Sequence, residues 1–152
     1  MLNSSYSEIL SQLVEMQTCR RAALLTRSGS LVGISRGTEV VTSTAQENAL
    51  SAVSAALASS TRELFRLLGE EDAEYALLRG QRQTTLISEM PDQLLLVAVF
   101  PSAVDEDMAK ASAEFVGNKL LQLSPPASAP TFVLQPELRD QTMRLLDELF
   151  LQ

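Results

Sequence analysis

The sequence predicts an α+β domain: a five-stranded antiparallel sheet sandwiched between helices, in the order α-β-β-α-β-β-β-α, followed by a C-terminal tail helix. Three observations lead there. Segments with apolar residues at helical spacing alternate with short apolar stretches of strand length. Glycine, serine, proline and aspartate separate those stretches at turn-like intervals. The 152 residues, 45% hydrophobic and 20% charged, suit one core rather than two.

Each element has its own signal. Ser5 to Glu8 has capping-box spacing, and Tyr6, Ile9, Leu10, Leu13 and Val14 then recur on one helical stripe. Residues 21–27 and 31–36 are apolar-rich and flank Ser28-Gly29-Ser30, so they read as a β-hairpin; Gly33 inside the second strand marks a bulge or the close approach of another backbone. Thr44-Ala-Gln-Glu47 repeats the capping pattern and opens a helix that runs to Leu68 and stops at Gly69. Residues 74–79, 83–90 and 93–100 form a three-stranded meander divided by Gly80 and by Pro91-Asp92. The run Leu94–Phe100 lacks polar alternation, as a strand covered on both faces should. Residues 105–123 return to helical spacing, with Ala109, Ala113, Val116 and Leu120 on one stripe and Asp105, Glu106 and Asp107 at the positive end of the helix dipole. The expected division is therefore a domain over 1–123, a proline-rich linker over 124–135 and an amphipathic helix over 136–152.

Composition excludes much chemistry. One cysteine, Cys19, and no histidine leave no Ser-His-Asp triad, Cys-His pair, CxxC redox pair or cysteine-histidine zinc site within one chain. The net charge of −7 disfavours nucleic acid as a partner, and no GxxxxGK[ST] loop is present to cradle nucleotide phosphates. The N-terminus has no basic region leading into an apolar stretch, and the longest apolar run falls far short of the roughly 20 residues a bilayer needs, so a cytoplasmic protein without membrane insertion is expected. Glu70-Glu-Asp72 with Glu74 lacks the Asx/Gly spacing of a calcium loop and reads as a solvated turn; no metal and no cofactor are assigned. Cys19 beside Arg20 and Arg21 is either a thiol activated by cations or an inert one at a helix end.

The long helix carries the interaction signals. A stripe of Leu50, Val53, Leu57, Leu64 and Leu68 is expected to bury against the sheet. A second stripe of Ala45, Ala49, Ala52, Ala56, Ser59 and Ser60 either forms a close-packed dimer seam or simply fills an exposed face. The face opposite the sheet is then left to Asn48, Ser51, Ala55, Arg62 and Arg66.

The element order, the hairpin Ala22-Ala-Leu-Leu-Thr-Arg-Ser-Gly-Ser-Leu-Val-Gly33, the helix end Arg62-Glu-Leu-Phe-Arg-Leu-Leu-Gly69 and the strand Tyr75-Ala-Leu-Leu-Arg-Gly80 resemble the Roadblock/dynein light chain family, especially its bacterial MglB-like members, over about residues 5–123. The resemblance implies a Roadblock/profilin-like fold and a homodimer built from the long helix and the strand after it. Its seam would involve Ala45, Ala49, Ala52 and Ala56, with Tyr75 and Leu77 on the pairing edge. It further implies a non-enzymatic regulator of a small Ras-like, MglA-like GTPase, active in cell polarity or motility, contacting it through Asn48, Ser51, Ala55, Ser59, Arg62 and Arg66. Within that reading Arg62 or Arg66 as an arginine finger ranks below a solvated or merely contacting arginine. The alternative is a dimerisation scaffold that leaves nucleotide turnover unchanged. The tail helix either reaches a partner or packs on its own domain or its dimer mate.

Overall fold

The computed structural model describes residues 2–16, 19–37, 43–70, 75–123 and 144. The chain divides into two compact units, Met1–Leu120 and Leu121–Gln152. The expected linker and tail helix lie outside the described residues, apart from Arg144, which is helical and exposed.

Helix α1 spans Ser4–Met16. Its cap is Asn3 rather than Ser5: the Asn3 Oδ1 accepts from the backbone N–H of Ser5 at 2.9 Å and of Tyr6 at 3.3 Å. Strands β1 (Arg21–Thr26) and β2 (Leu31–Arg36) form the expected hairpin, with Gly29 at φ +95° in its turn and a register shift between Leu24 and Leu25. Gly33 admits a close approach: a Cβ there would stand 2.8 Å from the Tyr6 Cβ, so only glycine lets α1 settle on β2 at this distance.

Helix α2 spans Thr44–Leu67. Its capping box begins one residue earlier than the sequence pattern implied. Ser43 Oγ accepts from the Gln46 N–H at 3.1 Å, and Gln46 Oε1 accepts from the Ser43 N–H at 2.9 Å. Glu47 cannot serve as the box residue because its carboxylate turns inward to Arg21. At the other end Gly69, at φ +80°, donates to Arg66 O, and Glu70 donates to Phe65 O, a Schellman termination.

Strands β3 (Tyr75–Arg79), β4 (Gln83–Met90) and β5 (Leu94–Pro101) complete one antiparallel sheet in the order β2-β1-β5-β4-β3. The unalternating β5 takes the centre, paired with β1 and β4. Helix α3 spans Glu106–Leu123 and buries Ala109, Ser112, Ala113, Val116 and Leu120.

The two faces of the sheet are covered unequally. On one, α1 and α3 enclose Leu10, Leu13, Leu24, Leu86, Leu96, Phe100 and Val116 in the main core. On the other, α2 covers a smaller cluster of Ala23, Leu25, Ala55, Ala58, Ile87 and Leu95.

Candidate interaction surface

Helix α2 meets the sheet through small and polar side chains. Glu47, Ser51, Ala55 and Ala58 are its buried residues. Their shortness lets the helix lie close: a Cβ at Gly29 would come within 3.2 Å of the Ala52 Cα. Two ion pairs fasten the helix. Near its start Glu47 binds Arg21, with Arg36 at 3.8 Å from the same carboxylate. Burial pulls the Arg21 guanidinium below its ordinary range, and the Glu47 charge opposes that pull. Further along, Arg62 Nε stands 2.8 Å from Glu89 Oε1 on β4, with Arg27 at 4.0 Å from the same oxygen.

This orientation reverses the expectation for the leucine stripe. Leu50, Val53, Leu64 and Leu68 do not bury against the sheet: Leu50 is 45% exposed, Val53 66%, Leu64 55% and Leu67 69%, with Leu68 exposed beside them and Leu57 half-buried. The small residues face inward where α2 passes close over Gly29 in the β1–β2 turn, and Arg21 holds Glu47 on the same side.

The candidate partner residues separate accordingly. Ser51 and Ala55 are buried against the sheet and are not on an outer face; the Ser51 hydroxyl donates back to Glu47 O at 2.8 Å. Asn48, Ser59 and Arg66 are exposed. Arg66 donates to the Glu63 carboxylate at 2.6 Å, which raises the guanidinium's pKa and lowers that of Glu63. Arg62, half-buried, is held by Glu89. Ala45, Ala49, Ala52 and Ala56 are exposed. Tyr75 and Leu77 lie on β3, an edge strand of the sheet, and pack toward the main core; the Tyr75 hydroxyl and Glu106 Oε1 are 2.8 Å apart.

Sequence reasoning missed a cleft of about 260 Å³ beside the N-terminal half of α2, lined among others by Leu50, Ser54, Val97, Val99, Thr85 and Arg20. Its floor is the part of the sheet that α2 leaves open, and its wall continues into the exposed leucine stripe. The stripe's three-and-four spacing was its available signal. Elsewhere, Cys19 is buried and donates to Arg21 O at 3.0 Å, and burial pushes its thiol up to about 11, so the inert alternative holds. Among the described residues no cluster of three metal-ligating side chains occurs, and no helix is long and apolar enough to cross a membrane.

A five-stranded antiparallel sheet with two helices on one face and a single long helix on the other is a Roadblock/profilin-like fold, and solved structures of that fold match this chain. Among them is an MglB structure with a tetrameric arrangement, 22% identical over 80% of this chain and 91% of that one, at a TM-score of 0.69. The gliding protein MglB of Thermus thermophilus is 22% identical over 76% of this chain and 88% of its own, at a TM-score of 0.65. A Roadblock/LC7 domain from Streptomyces avermitilis is 13% identical over 77% and 95%, at a TM-score of 0.68. No protein-family model matches the sequence, and no curated protein matches it in sequence. The likeness is one of fold, as the sequence resemblance implied.

Proposed function

We propose that this protein is a homodimeric Roadblock-type regulator that binds a small Ras-like, MglA-like GTPase and stimulates its hydrolysis of GTP or otherwise sets its nucleotide state, in cell polarity or motility, without a catalytic site of its own. The observation that carries the dimer is the exposed leucine stripe of α2, continuous with the open strip of sheet formed by Val97, Val99, Thr85 and Leu78. An apolar face of this kind on a surface helix marks an interaction site. The edge strand β3 supports the same reading, since its outer backbone groups offer a place for a second β3 to pair. The tetrameric arrangement of an MglB structure with a similar fold supports self-association as well.

The seam then runs along Leu50, Val53, Leu57 and Leu64, with Ala49 and Ala56 beside it and Ala45 and Ala52 at its rim, while Tyr75 and Leu77 ride on the pairing strand. Asn48, Ser59 and Arg66 remain for the GTPase, bordered by Arg62. The hold of Glu89 on Arg62 and of Glu63 on Arg66 favours contact over an arginine finger.

Two measurements test this. Sedimentation equilibrium should show a dimer that Val53→Glu converts to a folded monomer, because Val53 touches little of its own domain. GTP turnover and nucleotide release by an MglA-like GTPase from the same organism should accelerate when the protein is added. A chain that is monomeric at all concentrations, or that binds the GTPase in neither nucleotide state, refutes the reading. Binding with unchanged rates leaves a scaffold instead.

A further inference from the structure

Resting on the proposed GTPase partner, we infer that Arg62 is the specificity-determining arginine of α2: it leaves Glu89 to take an aspartate or glutamate of the GTPase, while Arg27 keeps the vacated Glu89 neutralised. The two arginines on this part of the helix are held in opposite ways. Arg66 is exposed but tied, since its Nε donates to Glu63 Oε2 at 3.0 Å and its Nη2 to Glu63 Oε1 at 2.6 Å, the paired bonds with which a guanidinium grips a carboxylate best. Arg62 is half-buried but loosely held. Its Nε stands 2.8 Å from Glu89 Oε1, yet the oxygen lies off the line of the N–H, so this buried donor makes no hydrogen bond to any described residue. The attraction is Coulombic alone, and an N–H that gave up water on folding has received no acceptor in exchange.

Glu89 can release it. Arg27, just past the end of β1, places Nη2 4.0 Å from the same Glu89 oxygen, and both side chains are partly exposed, so the carboxylate keeps a counter-charge and solvent when Arg62 departs. Beside the pair lies a hollow of about 20 Å³, bordered by Thr61, Ile87 and Tyr75, with room for about one water.

The helix aims Arg62 at the same partner as its neighbours. Arg62 follows Ser59 by three residues and precedes Arg66 by four, so the three share one side of α2, and Ser59 and Arg66 are exposed. Turned outward, the guanidinium presents its Nε and one Nη together, a planar edge that matches a carboxylate by two parallel bonds. The gain is selectivity. A partner that offers a carboxylate exchanges one ion pair for another, whereas one that offers none leaves Arg62 on Glu89 and forgoes the contact.

Titrating the full chain with an MglA-like GTPase from the same organism, loaded with a non-hydrolysable GTP analogue, reads the dissociation constant. R62A should weaken binding roughly tenfold, more than R66A does. E89Q should tighten it roughly threefold because nothing then holds Arg62 back, and R27M should weaken it roughly threefold because Glu89 then keeps its only cation. Both effects should vanish when R62A is also present, which a structural role for Glu89 or Arg27 would not produce. Should R62A fail to fold, the opposite signs of E89Q and R27M still decide the matter. An E89Q variant that binds as the parent does or more weakly overturns the exchange, as does an R27M effect that persists beside R62A. So does an R62A variant that binds normally but slows turnover in the saturated complex, or that weakens only the dimer in sedimentation. Each of these leaves the GTPase partner standing; a parent chain that binds the GTPase in neither nucleotide state overturns both.

Discussion

Gly33→Ala tests how α1 is seated. The added Cβ would stand 2.8 Å from the Tyr6 Cβ and 3.4 Å from both the Tyr6 carbonyl carbon and Leu10 Cδ1. Leu10 can shift its terminal methyl, but the Tyr6 Cβ is fixed to the helix backbone, so α1 or β2 must move. Overpacking of this kind costs about 1–3 kcal/mol, offset by up to about 1 kcal/mol from the lower chain entropy of the unfolded alanine variant. The expected net loss is about 1–2 kcal/mol, a fall in Tm of about 3–8 °C for a domain of this size. Tyr6→Ala should not rescue it, since that change keeps the offending Cβ. Tyr6→Gly should rescue part of it despite its own helix cost of about 1 kcal/mol. Gly117→Ala is the opposite control: within α3 its Cβ would meet only the Met90 sulfur, at 3.9 Å, and helix propensity should raise stability by up to about 1 kcal/mol. Thermal melts and urea titrations of these variants and the parent decide the matter. An unchanged or higher Tm for Gly33→Ala would refute the close seating of α1.

Two further outcomes follow from buried groups. Glu47→Gln should destabilise by about 2–4 kcal/mol in urea, because Arg21, 12% exposed, keeps its charge and loses its counter-charge; replacing Arg21 and Glu47 together by methionine and leucine should cost less. The Cys19 thiol should label slowly at pH 8. Its pKa, raised from 9.0 to about 11 by burial, means that the neutral form belongs to the fold, so its stabilisation is present below pH 9 and is lost as pH climbs through about 11. Over that window the parent should lose about 2–3 kcal/mol more than Cys19→Ala, measured by unfolding at each pH.

Most of the architecture was legible because it depends on local signals. Gly29 and Pro91-Asp92 mark turns whatever surrounds them, and the unbroken apolar run of β5 announces a strand covered on both sides. Both helix caps were displaced, by two residues at α1 and one at α2, because serine, asparagine and threonine near a helix start are chemically equivalent candidates until the backbone chooses one. The site was less legible. Periodicity identifies Leu50, Val53, Leu57 and Leu64 as one stripe but does not say what covers it. Only the burial of Glu47 by Arg21 and the tight passage of Ala52 over Gly29 turn that stripe away from its own sheet. Ser51 and Ala55 were misassigned for the same reason: small side chains at helical spacing suit an exposed face and a crowded one equally.

The placement of β5 between β1 and β4 bears on how the chain is made. The β1–β2 hairpin and the β3–β4–β5 meander each close through neighbouring residues, but β1 finds β5 only by pairing Arg21 with Val99 and Thr26 with Leu94. During synthesis the first hairpin therefore emerges and waits, its Ala22–Leu25 edge open, while roughly seventy more residues leave the ribosome at about 5–20 per second. For several seconds the nascent chain holds an apolar strand with one edge unpaired, the edge that β5 covers in the finished domain, and that interval is when a chaperone, or another nascent copy, has access to it.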